Sequence, residues 1–285
     1  MENWDDYRFL LAVMEEGSLN AAARRLGVNH ATVLRRVAGF EERMGLALFD
    51  RSASGYRLRG DRHAARDALR KLEEAVAASE RAVVGQGAGL SGPLRITSTD
   101  SLCSEVLPEI VAGISAAHPA LRLELIATNR HLDLGRLDAE LTVRPSKALS
   151  PPLVGEVAAR MTFRVYAPAE IETEAWLQGT GTLSGAPPAA WIADKIEDHR
   201  IGGRADSYLT LRAMIRAGQG VSYLPVWLAR DYAGIVARDD LGPRLETRIW
   251  VAHHEDLDGV ERIAMCRALL ADGLGAIEDQ LGGAA

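Results

Sequence analysis

The amino-acid sequence predicts two fold classes in one chain: an α+β head of helices with a β-hairpin, then, after a long helix, an α/β body. Three observations predict this. Residues 1–60 hold three short amphipathic stretches, each closed by a glycine. Residues 61–84 contain neither glycine nor proline. From residue 93 onward strand-like and helix-like segments alternate, a pattern that buries best as α/β layers.

The head begins with a helix over 4–15, where Trp4, Tyr7, Leu10, Leu11 and Met14 recur at three- and four-residue spacing. Gly17 ends it, and Ser18 is a ready N-cap for a second helix over 19–26. Gly27-Val28 gives a tight turn and Asn29 a second N-cap. A third helix follows over 30–44, with Val33, Val37, Phe40 and Met44 as its apolar stripe and Gly45 as its stop. Short strands are expected at 46–49 and 56–58 around Ser52-Ala53-Ser54-Gly55, a run of turn formers, so that they make a hairpin.

Across 61–84, Ala65, Leu69, Leu72, Val76 and Val83 fall on a heptad seam, with Ser79 filling one seam position. Such a stripe suits pairing with a second copy of the chain. The alternative is an amphipathic helix packed on its own domain. Residues 85–92 form a glycine-rich hinge. Its Gly87-Ala88-Gly89-Leu90-Ser91-Gly92 fits the GxGxxG string. A dinucleotide loop, however, follows a strand and opens a helix, whereas this run follows a helix and enters a strand.

In the body, strands are expected at 94–97, 121–127, 140–144, 153–158, 161–166, 221–224 and 245–252. Helices are expected over 100–117 with an interruption at Pro108, over 209–217 before Gly218, briefly at Pro225, and over 259–281. The organisation is then a head at 1–60, a linker helix at 61–84, a hinge at 85–92 and a body at 93–285.

Composition narrows the function. With 47% apolar and 25% charged residues, the chain has the balance of a soluble globular protein. Two cysteines, Cys103 and Cys266, build neither a disulfide framework nor a zinc site and read as small buried apolar residues, which suits a reducing compartment. The acidic start and the short apolar run at 9–14 do not form a signal segment, and no stretch approaches the ~18 apolar residues of a membrane span, so a cytoplasmic location is expected. His253-His254-Glu255-Asp256 has the composition of a metal cluster, but adjacent strand histidines face opposite ways, and a solvated turn is expected. No GxSxG, P-loop or HExxH motif is present, so neither catalysis nor a cofactor is expected.

A net charge of -6 argues against nucleic acid until its distribution is inspected. The 24 residues from Gly17 to Phe40 contain no Asp and no Glu, but do contain Arg24, Arg25, His30, Arg35 and Arg36. Arginines alone could be a solvated helix face. Two helices joined by a glycine turn, with small Ala21-Ala22-Ala23 allowing close approach, are what a helix-turn-helix needs. The third helix would then enter the major groove N-terminus first. Ser18, Asn20, Arg24, Asn29, His30, Ala31, Thr32, Leu34, Arg35 and Arg36 are its candidate contacts, and the hairpin becomes a wing carrying Arg51, Ser54 and Arg57 toward backbone and minor groove.

The run EEGSLNAAARRLGVNHATVLRRVAGFEERMGLALFDR, from Glu15 to Arg51, resembles the DNA-binding signature of LysR-type regulators. Further family landmarks follow in order: Leu94-Arg95-Ile96, Leu107-Pro108, His118-Pro119, Leu121 to Glu124, and Ala217 to Pro225. The chain departs at His30-Ala31, where much of the family has Gln-Pro, at Leu34 in place of Ser, and at Glu140 in place of Asp. An operator sequence therefore does not carry over from relatives. The resemblance implies a winged helix-turn-helix, a linker helix, and a two-subdomain, periplasmic-binding-protein-like α/β domain with an effector in its cleft.

Ligands of open α/β sheets sit at strand carboxyl ends and helix starts. That singles out Ser98, Thr99, Asp100 and Ser101 after the first body strand, Thr128 and Asn129 after the next, Arg144 after the third, then Arg204, Asp206 and Ser222. Each could instead be a cap or a surface ion pair. As a set they suit an acidic effector. The expected partners are operator DNA, a small-molecule effector, and further copies as homodimer or homotetramer, with RNA polymerase a further contact. The competing reading is a solute-binding or enzymatic protein on the same cleft fold.

Overall fold

The computed structural model describes residues 4–52, 55–85, 91–129 and 139–282, without the side chains of 52, 74, 77, 78 and 80–85. Ser54, the hinge core at 86–90, the stretch at 130–138 and the Val83 side chain lie outside the described residues. The chain divides into two compact units, 1–79 and 80–285.

The first unit contains α1 (Asp5–Glu16), α2 (Leu19–Leu26), α3 (His30–Met44), β1 (Phe49–Ser52), β2 (Gly55–Leu58) and, after one 3-10 turn, the start of α4 (His63–Gly85). Local chemistry sets the boundaries. Ser18 accepts from the Ala21 N–H at 3.1 Å and Asn29 from the Thr32 N–H at 2.8 Å. Gly17, Gly27 and Gly45 adopt the left-handed conformation that closes a helix. Phe9, Leu10, Val13, Ala22, Val33 and Val37 form the shared core of the three helices.

Two expectations for this unit need correction. The first hairpin strand is Phe49–Ser52, not 46–49. The backbone N–H groups of Leu48 and Phe49 are taken by the Glu41 carboxylate, at 2.8 and 3.1 Å, and Leu46 N–H closes α3. The ladder therefore starts later, pairing Phe49 with Leu58 and Ser52 with Gly55. The linker seam also divides: Leu69 is buried in the unit's own core with Ala65 against it, Leu72 is half-buried, and Val76 is 50% exposed.

In the second unit β3 (Gly92–Ser98), β4 (Leu121–Ala127), β5 (Leu141–Ser146), β6 (Leu153–Pro168), β9 (Ser222–Pro225), β10 (Ile235–Ala237) and β11 (Leu245–His254) form one mixed sheet. Its order is β10-β6-β11-β5-β3-β4, with β9 also on β6. β3 runs parallel to β4 and β5, and the long β6 pairs antiparallel with β11. β7 (Trp176–Gly179) and β8 (Ile201–Ala205) form a separate parallel pair. The helices are α5 (Asp100–Glu105), α6 (Leu107–Ala117), α7 (Pro187–Lys195), α8 (Tyr208–Arg216), α9 (Val226–Ala229), α10 (Glu261–Gly275) and α11 (Glu278–Gly282).

The two strands expected at 153–158 and 161–166 are one strand. Ala158 is an extra residue at a bulge, since Ile249 pairs with Ala159 and Trp250 with Val157. The single closing helix is two, α10 and α11, and Glu278 turns back to accept the Arg160 N–H at 2.9 Å. The elements β7, α7, β8 and β10 had no counterpart in the sequence reading.

The histidine pair is also corrected. β11 continues through His253 and His254, which are 1% and 8% exposed rather than in a solvated turn. His253 places Nε2 3.7 Å from Asp258, while its buried Nδ1 has no hydrogen-bond partner. Burial, with Arg267 nearby, pulls its pKa below the ordinary 6.5 despite Asp258. The fold thus favours neutral His253, so its stabilising contribution is present above about pH 6.5 and declines as pH falls through the lower folded value. Urea denaturation between about pH 7.5 and 5 should show this decline, and His253→Gln should flatten it. An unchanged slope in the variant would show that His253 is not the group responsible.

Candidate nucleic-acid interface and effector cleft

Helices α2 and α3 and the hairpin carry seven arginines, and the fold treats them unequally. Arg36 reaches the Asp6 carboxylate at 3.0 Å and lies over the Phe9 ring. Arg43 bonds the other Asp6 oxygen at 2.5 Å. Asp6 is 2% exposed, so this is a buried carboxylate held by two guanidinium groups. Arg25 pairs with Glu15. Arg51 pairs with Glu41 at 3.2 Å and stacks on Tyr56. Among the described residues Arg24, Arg35 and Arg57 are exposed and meet no carboxylate.

The acid-free window is therefore acid-free only in sequence. Asp6 from α1 and Glu41 from α3 fold onto it, and Arg36 and Arg51 are internal ties. Asn20, His30 and Ala31 are exposed beside the free cations, and Thr32 is half-exposed. Leu34, expected to face a groove, is half-buried against the helical core. Ser18 and Asn29 serve as caps.

Tyr56 N–H donates to the Gly17 carbonyl at 2.8 Å, which fastens the wing to the α1–α2 turn.

In the second unit a cavity of about 240 Å³ opens where α5, β5, β6 and α8 converge. Thr99, Ser101 and Arg144 line it, as expected. Sequence reading missed most of its wall: Lys147, Met161, Phe163, Thr182, Tyr208 and Trp227. Burial raises the Tyr208 pKa and keeps its phenol neutral.

Other expected residues do different work. Ser98 is fully buried and donates to the Val143 carbonyl at 2.6 Å. Ser222 likewise donates to the Leu177 carbonyl at 2.7 Å. Arg204 lies outside the cavity lining, tied to Asp198 and Gln178 at the surface. Thr128 offers its carbonyl to Arg144 at 2.9 Å. Glu140 is a buried acceptor for the Arg95 N–H at 2.7 Å.

Asp100, Asn129 and Asp206 join a clasp instead. Ser207 donates to the Asp100 carboxylate at 2.5 Å, and Asn129 Nδ2 donates to the Asp206 carbonyl at 3.0 Å. Arg212 of α8 reaches Glu105 of α5 at 3.2 Å. Ser207 also caps α8, accepting from Thr210 N–H. Ser207→Ala should therefore cost about 1–2 kcal/mol in urea denaturation, and a loss below about 0.3 would show the clasp to be idle.

Cys103 is half-buried, Cys266 is buried, and burial raises both thiol pKa values, which disfavours reactive thiolates. Among the described residues no cluster of three or more His, Cys, Asp or Glu could hold a metal ion, and no helix is long and apolar enough to cross a membrane.

A three-helix unit with a hairpin wing, followed by a mixed α/β unit with a side-chain-lined cleft, defines a winged helix-turn-helix regulator with a sensing domain. Residues 4–59 match the bacterial regulatory helix-turn-helix protein family, LysR type, and residues 87–275 match the LysR substrate binding domain. The chain belongs to the LysR family of transcription regulators.

Relatives agree. The chain is 24% identical over 234 residues to the Mau operon transcriptional activator of Paracoccus denitrificans, covering 81% of this chain and 82% of that protein. It is 27% identical over 257 residues to the transcriptional activator protein LysR of Escherichia coli, covering 80% and 79%. The fold is that of full-length OxyR from Pseudomonas aeruginosa, with a TM-score of 0.56, 18% identity and coverage of 96% and 95%. It is equally that of AphB from Vibrio cholerae, with a TM-score of 0.57, 17% identity and coverage of 96% and 98%. The competing enzymatic reading falls with this membership.

Proposed function

We propose that α3 enters the major groove of an operator with Arg35, His30, Ala31 and Thr32 toward base edges, while Arg24, Asn20 and the wing residue Arg57 contact backbone and minor groove. The observation that carries this is the sorting of the arginines: three exposed guanidinium groups without carboxylate partners on α2, α3 and the wing, the rest internally paired. Each phosphate neutralised contributes about -0.9 to the slope of log affinity against log salt.

The second unit is read as the effector sensor, with Thr99, Ser101 and Arg144 in the cleft. Effector binding would shift the clasped arrangement and so alter half-site spacing or DNA bending. A homodimer through α4 is part of the reading, because Val76 presents an apolar side chain to solvent beyond the turns that pack on the first unit. Two such dimers would make the tetramer, and the assembly would work in the cytoplasm and contact RNA polymerase.

Fluorescence anisotropy with the duplex upstream of the chain's own gene, titrated from about 50 to 200 mM salt, tests the DNA claim. A steep salt dependence together with sequence preference over a scrambled duplex is expected. A folded protein with no salt-sensitive affinity for either duplex would overturn it.

A further inference from the structure

The cleft's own chemistry narrows what can occupy it. Its lining includes two cations, Arg144 and Lys147, and no Asp or Glu. Arg144 is partly buried and donates only to neutral oxygens, Thr97 Oγ1 at 3.3 Å and the Thr128 carbonyl at 2.9 Å. No carboxylate among the described residues pairs with it. A guanidinium withdrawn from water without a counter-ion carries an uncompensated cost, and burial accordingly disfavours its charged form.

A second polar group in the same lining is also unanswered. The Trp227 indole N–H is buried and has no acceptor. Buried indole N–H groups ordinarily find one, so an orphan facing a cavity marks a place for a ligand oxygen. The remaining wall is apolar, with Leu102, Met161, Phe163 and Leu183. A volume near 240 Å³ lies below the ~300 Å³ at which ordinary ligand pockets begin, so the occupant is small.

We propose that the effector is a small amphiphilic organic acid: its anionic group pairs with Arg144, its aromatic or branched body packs on Met161 and Phe163, and a further oxygen accepts from Trp227. The inference rests on the cleft being the effector site. A cationic ligand would meet no carboxylate there, and a sugar would leave hydroxyls against hydrocarbon.

The test uses the full-length protein, thermal shift and calorimetry, with salicylate, benzoate, salicylamide and succinate as probes. Salicylate should bind saturably, at least tenfold tighter than salicylamide, which lacks the charge, and than succinate, which lacks the aromatic body. Arg144→Met should remove the preference for acid over amide. Trp227→Phe should bring salicylate toward benzoate, a loss of about fivefold. Thr182→Trp, which fills the cavity, should abolish binding of every probe while circular dichroism and DNA affinity are retained.

If salicylamide binds as well as salicylate and Thr182→Trp still abolishes it, the acid assignment is overturned while the cleft reading stands. If Thr182→Trp leaves binding of the probes intact, the cleft reading itself fails. If neither aromatic acid binds at millimolar concentration, the proposed ligand class is wrong.

Discussion

Gly55→Ala is expected to destabilise the first unit by about 2–4 kcal/mol and to weaken operator binding more than any single loss of a cation on the wing. Gly55 sits at φ +120, a conformation that residues with a Cβ rarely adopt. A Cβ there would lie 2.3 Å from the Gly17 carbonyl oxygen and 4.0 Å from Ser18 Cβ. Relief requires the hairpin to lift from the α1–α2 turn, because the obstacle is backbone and cannot rotate away. Lifting stretches the 2.8 Å bond from Tyr56 N–H to that same carbonyl and disturbs the Ser18 cap of α2. Wing and helix then lose their common frame, so the cost falls on DNA affinity as well as on stability. Thermal denaturation and anisotropy titration measure the two effects. A variant within about 0.5 kcal/mol of the parent in both would show that the wing does not depend on this contact.

The first unit was legible because its signals are local. A cap, a glycine stop and a 3.6-residue stripe are each read within a few positions, and α2 and α3 run over the residues that Ser18, Gly27, Asn29 and Gly45 dictate. The partners of its charges were not legible. Arg36 meets Asp6 from 30 positions away, and Arg51 meets Glu41 from 10, so a sequence window that looks purely cationic is half neutralised by folding.

The second unit hid a different kind of information. β8 reads Ile201-Gly202-Gly203-Arg204-Ala205, and two glycines depress any strand reading. The structure shows why they are there: a Cβ on Gly202 would come within 2.9 Å of Ala175 Cβ, and one on Gly203 within 2.8 Å of Met214 Cε. The packing that demands glycine erases the pattern that would have announced the strand. The cleft wall was obscured for a related reason. Thr99, Arg144, Phe163, Tyr208 and Trp227 come from five separate elements or their ends. Only hydroxyls and charges at strand ends had a local signature, which is why Thr99, Ser101 and Arg144 were found and the aromatic side was not.

Adjacent arginines on α3 should give opposite results when each is replaced by alanine. Arg35→Ala removes an exposed cation with no carboxylate partner among the described residues, so its folding free energy should change by less than about 0.5 kcal/mol. Its DNA affinity should fall by about 1–3 kcal/mol if it reads a base, or its salt slope should drop by about 1 if it contacts a phosphate. Arg36→Ala removes one of two cations from a carboxylate that is 2% exposed, and uncovers the Phe9 ring. Breaking a buried pair costs about 3–5 kcal/mol when the remaining charge is left alone. Here Arg43 stays, at 2.5 Å but with its side chain 52% exposed, so about 2–3 kcal/mol is expected. Asp6→Asn with Arg36→Met should recover part of that loss, because no buried carboxylate then remains to be neutralised. DNA affinity of Arg36→Ala, measured well below its melting temperature, should keep the parent salt slope. Equal salt slopes and equal stabilities in the two variants would mean that the buried Asp6 does not sort these neighbours, and that the charged face of α3 acts as one undivided patch.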